Sequence, residues 1–88
     1  MEKIQIKESD FIKLNGMVSY CDVRQKNSKL QINILNKKNG EWECWVYGAY
    51  SSMALGDVNG IRIFNSMSEA IDAVNFVLED LQTVFIGD

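Results

Sequence analysis

The chain of 88 residues has no histidine and no proline, only two cysteines, and in its second half a single cation. Each absence removes a class of chemistry. Without histidine, Ser51, Ser52, Cys21 and Cys44 lack their customary general base, and no pair of acids stands out from the surface charge, so catalysis is not expected. A zinc site closed within one chain would have to draw on carboxylates, and no ligand spacing suggests one. Both cysteines lie in apolar, strand-like segments, which fits reduced core thiols and not a secreted disulfide framework. The glycines are scattered and form no phosphate cradle, so no cofactor is implied. The run Asp57-Val58-Asn59-Gly60 matches the middle of a calcium-binding loop, but position 12 of that loop would fall on Ser66, where a bidentate Glu is required; the run reads as a turn. A charged leader with an apolar run behind it is lacking, and so is an apolar stretch of bilayer-spanning length. The expectation is a cytoplasmic protein with no membrane partner.

What is present is the composition of one folded domain: 47% hydrophobic and 24% charged residues, with no linker, repeat or low-complexity segment. A chain this short buries roughly 60% of the surface its unfolded form exposes, so a second copy would add useful stability, and a homodimer is expected. The net charge of −3 is unevenly spread. Residues 1–44 carry eight Lys or Arg against six Asp or Glu, and residues 45–88 carry one against six. That balance disfavours a protein that grips a phosphate backbone by counterion release.

The clearest element runs from Met67 to about Val84. At 100° per residue Met67, Ala70, Ile71, Val74, Val77, Leu78 and Leu81 share one side, which predicts an amphipathic helix buried along that side. Ser66 is placed to cap it, with Glu69 three positions on to complete a capping box. Ahead of the helix the period is two. Ile4 and Ile6 alternate with lysines in a first strand, and Phe11, Ile12 and Leu14 either extend it or follow one helical turn after Ser9. Val18 and Tyr20 alternate with Met17, Cys21 and Val23 in a second strand. Gln25 to Ser28 reads as a turn, and Lys29 to Leu35 as a strand with Leu30, Ile32 and Ile34 inward and Gln31 and Asn33 outward. Asn39-Gly40 marks a hairpin into Glu41–Tyr47, where Trp42, Cys44 and Val46 alternate with Glu43, Trp45 and Tyr47. Residues 48–60 read as a long loop with room for a short helix ending near Gly56. Ile61, Ile63 and Phe64 read as a last strand, and Phe85 and Ile86 as a tail returning to the core. The sum is an α+β domain: an antiparallel meander of four or five strands with one C-terminal helix packed across one face.

One helix covers one side of such a sheet, which leaves two candidate surfaces. With Trp42, Cys44 and Val46 toward the helix, the opposite face carries Trp45 and Tyr47, joined by Tyr20, Arg24, Arg62 and Phe64. Aromatic rings interleaved with arginine suit single-stranded nucleic acid, because bases stack on rings while cations meet phosphate. The same face suits a homodimer interface or a second core layer. The second surface is the outer side of the helix, where Phe76 stands among Glu69, Asp72, Glu79 and Asp80. A ring set among carboxylates is a candidate anchor for a protein partner with a basic, pocketed surface; the alternative is an ordinary solvated face.

The order of four strands and then a helix resembles that of the transcriptional-coactivator and whirly class of single-stranded DNA binders, a likeness of element order that implies a dimer holding the strand on its sheets. In its smallness, its acidity and its want of enzymatic motifs, the chain resembles the small inhibitors that phages and mobile elements encode against host defence, the anti-CRISPR group among them. That likeness of size and composition implies stoichiometric binding to a nucleic-acid-handling enzyme, an acidic surface taking the place of phosphate in a basic channel.

Overall fold

The structure is a computed structural model and describes residues 5–25, 28–57 and 59–85. A short 3-10 helix, Glu8–Asp10, leads into a five-stranded sheet: β1 (Ile12–Lys13), β2 (Val18–Gln25), β3 (Ser28–Asn36), β4 (Trp42–Tyr47) and β5 (Ser52–Leu55). Each strand pairs antiparallel with the next, in the spatial order β1-β2-β3-β4-β5. The helix α1 (Met67–Phe85) closes the chain and packs on β3 and β4. This is the expected α+β meander with its helix on one face.

Alternation decides which side chains meet the helix. Cys21 and Val23 from β2, Leu30, Ile32 and Ile34 from β3, Cys44 and Val46 from β4 and Leu55 from β5 are all buried. They pack against Ala70, Ile71, Val74, Leu78 and Leu81 of α1, with Met67 and Val77 partly buried at the margin. The register carries this face across the sheet, with Cys21 opposite Ile32 and Ile32 opposite Val46, and with Ile34 opposite Cys44 and Cys44 opposite Leu55. Ser66 caps α1 as expected: the Glu69 N–H donates to its Oγ at 3.1 Å and supplies one of the otherwise unpaired donors of the first turn.

Three parts of the chain differ from the sequence reading. Residues 5–7 form no strand; the stretch folds instead along the helix, burying Ile6. The long loop expected over 48–60 holds β5 and, among its described residues, no helix, while the strand expected at Ile61–Phe64 reduces to a single bridge between Trp42 and Phe64. That bridge places Phe64 directly opposite a residue of the helix-facing set, so its ring is 4% exposed in the core and does not join the open face. The hairpin at Asn39-Gly40 is present, with Asn36 paired to Trp42 and Lys38 and Gly40 taking positive φ of 67° and 87°. Ile4, the turn residues 26–27 and Ile86 lie outside the described residues, as does the side chain of Phe85.

The segment around Ile6 is held by one side chain. Asn75, on α1, accepts from the Ile6 N–H at 2.9 Å and donates through Nδ2 to the Ile6 carbonyl at 2.9 Å, so its amide reads both polar groups of one residue. Asn75→Ala removes both bonds from a partly buried backbone. The expected cost is about 1–3 kcal/mol, measured by urea unfolding, together with much faster hydrogen exchange at the Ile6 amide; unchanged exchange there would contradict the clamp.

Candidate functional site

The outer side of α1 is built by the same period that buries its inner side. Glu69, Asp72 and Phe76 follow one another at helical spacings of three and four, and Glu79 and Asp80 lie three and four residues beyond the ring, so the five share one stripe. All five are exposed, and the Phe76 ring is 78% exposed. Asp72 lies one turn before the ring, and Glu79 and Asp80 one turn after it. The first turn of α1 carries Glu69 and the last turn carries no basic residue. Like charges spaced by one turn repel by a few tenths of a kcal/mol each, roughly.

The sheet face away from the helix is the other surface. Its rows follow from the register: Ile12, Tyr20, Asn33, Trp45 and Ala54 lie abreast across all five strands, with Val18, Leu35 and Glu43 on one side and Asp22, Gln31, Tyr47 and Ser52 on the other. Arg24 and Lys29 pair at the far end of β2 and β3. The structure therefore brings Tyr20, Arg24, Trp45 and Tyr47 to one face, as expected from the sequence. It does not bring Phe64, which is in the core, nor Arg62, which lies exposed in the unpaired stretch before it. Val18, on Tyr20's side of β2, and Asn33, outward on β3, join this face as the alternation predicts, while Ile12 and Leu35 are placed on it only by the strand register.

Most polar groups on this face are partnered within it. The Trp45 indole Nε1–H donates to Glu43 Oε1 at 3.2 Å, and Lys37 Nζ lies 3.3 Å from Glu43 Oε2. The indole bond and then the Lys37 contact hold the Glu43 carboxyl below its ordinary value. Gln31 Nε2 donates to Asp22 Oδ1 at 3.1 Å, and Lys29 Nζ sits 3.9 Å from Asp22 Oδ2. Asn33 Oδ1 is shut from solvent and meets no donor among the described residues.

Burial pushes the Cys44 thiol up to about 12 and also raises that of Cys21, where the carboxylates of Asp10 and Asp22 add to the effect, so neither is a thiolate at neutral pH. The Asp57 carboxylate accepts from the N–H groups of Asn59 and Ile61 at 2.8 and 3.0 Å, which is the work of a turn. Among the described residues no helix is long and apolar enough to cross a membrane. No protein-family model matches the chain, and no curated protein or solved structure is significantly similar to it.

Proposed function

We propose that the protein is a non-enzymatic protein-binding module whose recognition surface is the solvent side of α1, with Phe76 as anchor and Glu69, Asp72, Glu79 and Asp80 as its charged surround. The observation that carries this reading is the exposed Phe76 ring inside a stripe of carboxylates, on a helix whose other side is fully committed to the core. An aromatic ring that enters a pocket contributes much of an interface's energy, and the carboxylates select a cationic rim and speed encounter. The partner is a protein with a basic, pocketed surface. The likeness in size and acidity to phage-encoded inhibitors extends the reading to a nucleic-acid-handling enzyme whose basic channel the acidic stripe occupies.

Single-strand nucleic-acid binding on the sheet face is the weaker reading. Tyr20, Trp45 and Tyr47 supply stacking surfaces there, but Lys29 is paired with Asp22, and Glu43 adds a second negative group. The discriminating experiment is quantitative capture from bacterial lysate by the wild-type chain and by the Phe76→Ala/Asp80→Lys variant, at low and moderate salt. Proteins held by the wild type and released by the variant support the helix surface. Equal capture by both would remove it.

A further inference from the structure

We infer that the open face of the sheet is the interface with a second copy of this chain, related by a two-fold axis through the centre of the face. The argument starts from composition by register. Ile12, Val18, Tyr20, Leu35, Trp45, Tyr47 and Ala54 form an apolar band that reaches from β1 to β5, with Ile12 57% and Tyr47 38% exposed. No described element lies across them, since α1 packs on the other side. Patches of this extent on small proteins mark interfaces.

Size and charge then select the occupant. Five strands about 4.8 Å apart, with about 3.3 Å per residue along them, give a face on the order of 500 Å² in projection, which side chains roughen toward the ~800 Å² that each partner of a standard interface buries. An isologous interface sets a patch against itself, so any net charge on the patch is opposed by the same charge. The sheet face is balanced: Asp22 and Glu43 stand against Arg24 and Lys29. The outer face of α1 presents Glu69, Asp72 and Asp80 on a helix that itself holds no Lys or Arg, so it would set acidic groups against acidic groups of its own copy. The two surfaces therefore call for different occupants, and the second copy belongs on the sheet. This inference stands apart from the reading of the helix surface, because the two faces lie on opposite sides of the molecule.

The test is the mass of the full chain by sedimentation velocity between about 1 and 100 μM, at and above the weak end of the micromolar-to-picomolar affinities that interfaces of this size span. The wild type is expected at twice the chain mass, with Phe76→Ala/Asp80→Lys unchanged from it. Ile12→Glu/Tyr47→Glu, which places like charges on the band at two positions already open to solvent, is expected at the chain mass with an unaltered far-ultraviolet circular dichroism spectrum. A second measurement needs no charge in the band: in a Trp42→Phe chain the remaining indole, Trp45, should shift its emission to shorter wavelength as the mass doubles. A wild type at the chain mass throughout the range overturns the inference. So does a dimer that survives the double glutamate variant or forms without a Trp45 shift, and so does an oligothymidylate that binds the face in place of a second copy.

Discussion

Replacing Ile32 with alanine is expected to remove about 2–5 kcal/mol of folding stability, the range for deleting a buried branched side chain and leaving a cavity. Ile32 is 0% exposed at the centre of β3, between Cys21 and Val46 and beneath the helix. Its neighbours are held by the ladders on both sides and by α1 above, so the site has little freedom to collapse onto the missing atoms. The loss is large on the scale of the molecule, since a domain of this length has a total stability of about 4–13 kcal/mol. Ile61→Ala is the matched control. The same chemical change at a position 55% exposed, in the unpaired stretch before Phe64 and off the open sheet face, should cost within about 0.5 kcal/mol, because surface substitutions remove little packing. Urea unfolding followed by circular dichroism measures both. Equal losses at the two positions would mean that Ile32 is not covered by the helix and its neighbouring strands.

Partner capture is expected to fall at least tenfold on replacing Phe76 with alanine, with no change in the unfolding midpoint beyond a few tenths of a molar in urea, roughly. The first expectation follows from anchor residues, whose truncation costs ~2 kcal/mol or more of binding energy. The second follows from exposure: a ring already 78% open to solvent loses little packing when it is truncated. Asp80→Lys alone should act differently. Reversing one charge at the rim of an interface slows association and weakens binding most at low salt, because the contribution is screened over about 8–10 Å at physiological ionic strength. A Phe76 effect that persists at higher salt, beside an Asp80 effect that fades, would separate anchor from rim. Loss of capture accompanied by loss of fold would instead make Phe76 a structural residue and contradict its placement.

The helix and the central strands were legible in the sequence because their patterns are local. Seven apolar side chains at helical spacing and a Ser66 cap fix α1 without reference to anything else, and Leu30, Ile32 and Ile34 fix the inner face of β3 in the same way. β4 was equally plain, and with it the outward placing of Trp45 and Tyr47. The outer stripe of α1 needed only the helical period. β5 was missed because Ser-Met-Ala-Leu contains no β-branched or aromatic residue and buries only Leu55, so the strand is supplied by pairing with β4 and not by propensity. Phe64 was assigned to the wrong face for a related reason. Alternation gives relative sides within a segment, but which side faces the core depends on the partner strand, and a shift of one residue inverts it. Asn75 gave no signal, since its partner lies 69 residues away in the chain. The composition of the open face is half visible: Tyr20, Asn33 and Trp45 can be placed outward by period, whereas Ile12 and Leu35 join them only through the ladder that sets the strands abreast.

The contrast between Phe64 and Phe76 tests the account most directly, because the same ring is placed in opposite environments by the arrangement from which both surfaces are derived. Hydroxyl-radical footprinting of the native chain, read residue by residue, compares them with identical intrinsic reactivity. The account predicts that Phe76, on the outer side of α1, is oxidised many times faster than Phe64 and near its rate in the unfolded chain, while Phe64 is protected beside Trp42. Comparable rates at the two rings, or protection of Phe76 in the isolated protein, would contradict it.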